Sequence, residues 1–318
     1  MNRLLNYCLV VFFGSAAISF LFYAALIASG KLQKKLPMIE YCANNTDYND
    51  AIFIGASRVQ SHINPRIIDS IAGIKSYCLT DNAFGIVEDN MILNKYLQIH
   101  PKPKIVFLNI DVNIFFTSGP LNNITDFFPY LTDTVIYNSL SPYKLAYRNK
   151  LVAAYLSAQK IFATTDRLKA VSFNLTEIEK SPVGSSLDFK GFSPRILAWG
   201  QNAEHDLQNK ISATYQGKGF DLLKKMIQTC KLNSIEIIFI YAPILSEAKK
   251  NILNYNEIIN QVKQIAKDAD VPYWDYSFMP LCKSKKYFYN YNHLNYDGAL
   301  LYSNQLGIDI KNHLELSK

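Results

Sequence analysis

Residues Leu4 to Ser29 form an almost unbroken apolar run, LLNYCLVVFFGSAAISFLFYAALIAS, in which only Asn6 is strongly polar. A helix needs about 20 such residues to cross the hydrocarbon core of a bilayer. The apolar region of a secretory signal is shorter, about 7–15 residues. The run has no amphipathic period, so a helix built from it has no polar face to turn to water. The expectation is a single-pass membrane helix within residues 1–36, a polar linker over 37–50, and one domain from 51 to 318. Arg3 precedes the run, and Lys31, Lys34 and Lys35 follow it. That count alone leans toward a cytoplasmic domain.

The rest of the 318-residue chain is long enough for one large domain or one domain with an insertion. With 49% hydrophobic and 19% charged residues, disorder is excluded as the main state. The net charge of +7 is carried by scattered lysines, with no long basic stretch interleaved with stacking aromatics. No nucleic-acid partner is therefore expected; a basic face toward anionic lipid or an acidic polymer fits better. There is no CxxC pair, no phosphate-binding glycine loop, and no metal-ligand spacing among His62, His100, His205 and His313. No cofactor and no metal are expected. Cys42, Cys78, Cys230 and Cys282 are dispersed, as buried thiols usually are.

Short apolar runs alternate with helical stretches. Strands are expected at Ala51–Gly55, Ile74–Leu79, Lys104–Asp111, Ile235–Ala242 and Val271–Asp275. Helices are expected at Val87–Ile99, Gly219–Leu232, Glu247–Asp268 and Gly298–His313. This rhythm predicts an α/β fold with a parallel sheet covered by helices on both faces. Phe115 to Gln216 breaks the rhythm, with polar and aromatic loops and a helical stretch at Ser141–Thr164. It reads as an insertion or lid over the carboxyl edge of the sheet, where such folds bind ligands.

Two local patterns carry chemistry. Gly55-Ala56-Ser57-Arg58 follows the first strand directly, a turn that lifts a hydroxyl to the sheet edge beside a helix start. The same pattern also serves as a plain helix cap. Asn290-Tyr-Asn292-His293 places a histidine in a polar loop just before the last helix. A serine needs such a base, because its own pKa is far too high for attack at neutral pH.

Together, an early strand–GxS and a late loop histidine resemble the SGNH (GDSL-like) hydrolase superfamily, over roughly Ala51 to the C-terminus. The resemblance implies a three-layer, flavodoxin-like fold with Ser57 as nucleophile and His293 as base. It implies an oxyanion hole from the Ser57 and Gly85 N–H groups, Gly85 closing the segment Asn82-Ala-Phe-Gly85 after the second strand. The family's third block, GxND, is poorly matched by Leu108-Asn109-Ile-Asp111-Val-Asn113, leaving Asp111 or Asn113 in the donor's place. The last block, DxxH, has Asn290 where Asp is usual. The starting motif with Arg58 is similar to that of a membrane-anchored bacterial envelope subgroup serving teichoic-acid D-alanylation and polysaccharide O-acetylation. That subgroup implies an extracytoplasmic domain, against the lysine count.

Asn290 leaves several readings open. His293 can act in a dyad, oriented by a backbone carbonyl; Asp275 or Asp297 can supply the missing charge; or catalytic power is lost. Arg58, Asn82, Asp111 and Asn292 are candidates for substrate contact or support, with Arg58 either meeting an anionic substrate or pairing with a carboxylate at the sheet edge. The functional expectation is an ester hydrolase or O-acyltransferase on a cell-envelope glycan or other acyl-carrying substrate. Its rival is a non-catalytic component that binds a polymer or docks a membrane acyltransferase.

Overall fold

The computed structural model describes residues 2–28, 36–112, 127, 130, 133–140, 187–208 and 217–316. Five strands, β1 Ala51–Gly55, β2 Ser76–Thr80, β3 Ile105–Asn109, β4 Glu236–Tyr241 and β5 Tyr273–Asp275, form one sheet in the order β2-β1-β3-β4-β5. Every pairing is parallel. This is the flavodoxin-like order, which opens a crevice at the carboxyl ends of β1 and β3 where the winding reverses. β1 and β3 are buried at every residue, so both of their faces are covered. That is why AIFIG and IVFLN read as unbroken apolar runs rather than alternating ones.

The helices are α1 Asn2–Ala28, α2 Pro37–Asn44, α3 Ser57–His62, α4 Pro65–Ala72, α5 Ile86–Ile99, α6 Thr134–Leu140, α7 Gln201–Leu207, α8 Gly217–Leu232, α9 Tyr255–Asp268 and α10 Tyr296–Leu316. α10 packs on α3 and α4, while α5 packs on α2, α6 and α8.

Three expectations need correction. The segment read as a linker carries α2, which starts at Pro37 and buries Met38, Ile39 and Cys42. Its apolar side chains recur at helical spacing inside a polar-looking stretch. The stretch Glu247–Asp268 is not one helix: a 3-10 turn at Ala248–Asn251 leads to Ile252 in extended backbone, and α9 begins only at Tyr255. Short helix α4 stands where no element was expected, while the helix start expected beside Ser57 is the six-residue α3. The proposed helix at Ser141–Thr164, and most of the Phe115–Gln216 insertion, lie outside the described residues. The four cysteines of the domain are buried free thiols.

At the N-terminus, α1 leaves Val10, Phe12, Phe13 and Ile18 65–70% exposed. Among the described residues, no helix is long and apolar enough to cross a membrane.

Candidate active site

β1 ends at Gly55, whose φ of +153° suits glycine. A Cβ there would come within 2.7 Å of Val59 Cγ2 and 3.0 Å of Asn109 Cβ, so the close approach of α3 to β3 also requires glycine. Ala56 is extended, and Ser57 is the first residue of α3. The Thr80 hydroxyl donates to the Ala56 carbonyl at 2.7 Å, pinning the turn to the end of β2. Ser57 therefore stands at the carboxyl end of β1, between β2 and β3. Its N–H is one of the donors that a helix start leaves without an intrahelical acceptor.

The late loop brings His293 to it. Ser57 Oγ and His293 Nε2 are 2.7 Å apart. On the other side of the ring, Nδ1 lies 3.0 Å from Asn290 Oδ1. That same oxygen accepts the backbone N–H groups of Asn292 at 3.0 Å and His293 at 2.8 Å. Both are obligate donors, so the atom facing them is the amide oxygen, and the amide cannot be turned round. An oxygen facing Nδ1 requires Nδ1 to carry the ring proton. Nε2 is then the free acceptor for the Ser57 hydroxyl. Asn290 thus enforces the tautomer that a carboxylate would, but without the charge. Asp297 is exposed, and Asp275 is taken up by Ser277, its Oδ1 accepting from Ser277 N–H at 3.0 Å. The ring's partner at Nδ1 is Asn290.

The loop is held from beneath. The N–H of Leu294 donates to His62 Nε2 at 2.9 Å, and His62 sits at the end of the helix that Ser57 begins. Asn295 Nδ2 donates to the Lys286 carbonyl at 2.7 Å, and its Oδ1 accepts Gly298 N–H at 3.0 Å to start α10. Burial, then the nearby Arg195 and Arg58 charges, push the His293 pKa down from 6.5 to about 3. The imidazole is neutral at pH 7, as a general base must be.

The expected oxyanion donors fare less well. The Gly85 N–H donates to Glu88 Oε2 at 3.0 Å, a cap on the first turn of α5. It is committed there, because an N–H in the fold's interior takes the nearest acceptor. Asn113 lies outside the described residues. Asn109 ends β3, and its Nδ2 donates to Asp111 Oδ2 at 3.0 Å while its Oδ1 accepts Ala242 N–H at 3.3 Å. It ties β3 to β4 instead of reaching the serine.

Arg58 is fully buried and serves the fold. Its guanidinium bonds Asp111 and the Ala242 carbonyl, reaches the Pro243 carbonyl at 3.1 Å, and lies 5.0 Å from the Tyr241 ring centroid. A buried charge requires such pairing. Arg58 thereby joins α3 to the carboxyl ends of β3 and β4, and Asp111 is its counter-ion. Asn82 is exposed, and its Oδ1 accepts from Arg195 Nη2 at 3.2 Å. Asn292 contributes its backbone N–H to the Asn290 oxygen. Sequence reasoning missed His62 and Arg195. His62 shares a short helix with Ser57, a signal that was available; Arg195 lies in the insertion, with no motif around it.

No protein-family model matches the chain, and no curated protein matches it. Among solved structures it is similar to a Streptococcus pneumonia protein provisionally described as a platelet activating factor, at 11% identity and a TM-score of 0.44, covering 93% of this chain and 99% of that one. It is also similar to a Bacteroides fragilis protein provisionally described as an acylhydrolase, at 12% identity and a TM-score of 0.42, covering 88% of this chain and 100% of that one. The functional reading rests on the residues themselves.

Proposed function

We propose that this chain is a serine-dependent acyl-ester hydrolase or O-acyltransferase of the SGNH type, working through Ser57 and His293. The observation that carries this reading is the 2.7 Å contact from Ser57 Oγ to His293 Nε2, with the opposite ring nitrogen held by Asn290 Oδ1. As Oγ attacks the acyl carbonyl carbon, Nε2 takes its proton, and the carbonyl π pair moves to oxygen. The Ser57 N–H at the start of α3 is the donor for that oxyanion. The imidazolium returns its proton to the departing alkoxide, leaving an acyl-serine. Water or an acceptor hydroxyl then attacks, with His293 again as base, and Ser57 is regenerated.

The rival reading, a binding or docking component without catalysis, drew on Asn290 in place of Asp. A comparable replacement in a serine protease costs about 10⁴-fold because the wrong tautomer results. Here the tautomer is the productive one, so only the missing charge counts against turnover. The exposed apolar side chains of α1 support a single-pass membrane tether, since such a surface is unfavourable in water. With the family resemblance, this favours an extracytoplasmic domain acting on an envelope glycan or an acyl group handed over by a membrane acyltransferase.

The test is hydrolysis of p-nitrophenyl acetate by the full chain in detergent, beside Ser57→Ala and His293→Ala. Each substitution is expected to lower kcat by on the order of 10³-fold or more. Unchanged turnover in Ser57→Ala would remove the nucleophile and the proposal with it.

A further inference from the structure

A short strap of chain places Arg195 close enough to the catalytic pair for its charge to act on His293. Residues 187–195 run along the open edge of β2, where Cys78 N–H donates to the Lys190 carbonyl at 3.0 Å. Phe189 and Phe192 bond each other through their backbones, and Gly191 turns between them at φ +83°. A Cβ on Gly191 would overlap the Cys78 carbonyl, so the strap lies tight against the strand. Phe192 is buried, Lys190 pairs with Asp69 at 2.8 Å, and Ser193 N–H donates to the Gln60 carbonyl of α3 at 2.7 Å. These anchors fix where Arg195 emerges.

Its Nη2 reaches Asn82 Oδ1 at 3.2 Å, just beyond Thr80, whose hydroxyl holds the carbonyl preceding Ser57. Among the described residues, the Arg195 Nε is buried without a hydrogen-bond partner. Arg58 is neutralised by Asp111. The Arg195 guanidinium also works against the chemistry proposed above, because it opposes the imidazolium that His293 must become. Arg195 is among the causes of the low His293 pKa, second only to burial. An anion bound to the guanidinium offsets that repulsion and strengthens the base in the complex.

We propose that Arg195 is the specificity-determining residue of this site, and that the substrate is an anionic ester carrying a carboxylate or phosphate close to its scissile carbonyl. This rests on Ser57 and His293 being the reacting pair. Planar guanidinium donors suit either anion, and charge-assisted hydrogen bonds are the strong ones.

The experiment compares three esters with the full chain in detergent: neutral p-nitrophenyl acetate, the carboxylate mono-4-nitrophenyl succinate, and the phosphate O-acetyl glycerol 3-phosphate. Arg195→Met is expected to lower kcat/KM for the matching anionic ester by about 10- to 100-fold. The neutral ester should lose no rate, because the charge that opposes the imidazolium is gone, and Arg195→Lys should recover part of the loss on the anionic ester. Which anionic ester responds identifies the anion. Equal losses on neutral and anionic esters, or no loss on either anionic ester, would overturn the inference.

A binding arm separates this inference from the catalytic reading. In Ser57→Ala, the intact succinate ester and inorganic phosphate are titrated by calorimetry, with and without Arg195→Met. Binding that weakens by about tenfold or more without the arginine supports the anion site, even where no ester is turned over. If the wild-type chain cleaves none of the esters, the catalytic reading falls and this arm alone decides. Binding that is unchanged without the arginine, or absent with it, would sink the inference.

Discussion

Asn290→Asp should make this protein a better catalyst. The side chain keeps its shape, and its oxygen already accepts the His293 ring proton and two backbone N–H groups. Those donors favour a carboxylate over an amide, so the new charge has its hydrogen bonds waiting. Carboxylate and imidazolium centres about 4 Å apart attract by about 4 kcal/mol at an effective dielectric near 20. That corresponds to about 3 pK units. The His293 pKa, held at about 3 in the native protein, should rise toward about 6. With about half of that shift expressed in the transition state, kcat on p-nitrophenyl acetate should rise by about 30-fold at pH 8. The assay is a pH–rate profile of both proteins in detergent, with circular dichroism to show that the fold is kept. A folded Asn290→Asp variant with an unmoved acid limb and no gain in kcat would refute the tautomer argument.

Further expectations concern pH and stability. The fold disfavours protonated His293, lowering its pKa from 6.5 to about 3. The acid limb of kcat/KM should therefore lie below about pH 5; a limb near 6.5 would contradict the burial. By the same shift, stability is full above the unfolded value of 6.5 and is lost as pH falls below it toward 3. Arg195→Met removes a charge that opposes the imidazolium, so the acid limb should move to higher pH. Glu88 is shifted the other way, its burial raising the carboxyl from 4.5 to about 7. Its contribution is full below 4.5 and lost as pH rises through 7, so Glu88→Gln should gain about 3 kcal/mol on wild type between those limits. Thermal melts across that range check it; a constant difference would not fit. Arg58→Met leaves Asp111 without its counter-ion and should cost about 3–5 kcal/mol of stability. A loss below about 1 kcal/mol would contradict the buried pair.

The parts of this fold legible in the sequence were those written locally. AIFIG announced a central strand because both faces of β1 are covered. Gly55-Ala56-Ser57 announced the turn because a small residue is required where α3 meets β3. His293 was legible as a polar-loop histidine ahead of a strong helix. What could not be read depended on competition and distance. Gly85 looked free to bind an oxyanion, yet Glu88 claims its N–H one turn later. Asp111 looked available as an oxyanion-side group, yet it is the counter-ion of the buried Arg58. Arg195 is brought to the site by a strap bonded to Cys78 and Gln60, and no neighbouring residue in the sequence signals that path. α3 was legible only as a start at Ser57: SRVQSH is too short and too polar to show a helical period, although it buries Arg58, Val59, Ser61 and His62.

The central claim is that Ser57 is a nucleophile activated by His293. The most direct measurement is peptide mass spectrometry of the full chain in detergent after exposure to a fluorophosphonate, which phosphonylates activated serines. The expected result is a single stoichiometric label on Ser57, at least about 100-fold slower in His293→Ala. A label that falls on other serines while Ser57 stays unmodified, or one that forms equally fast without His293, would contradict it.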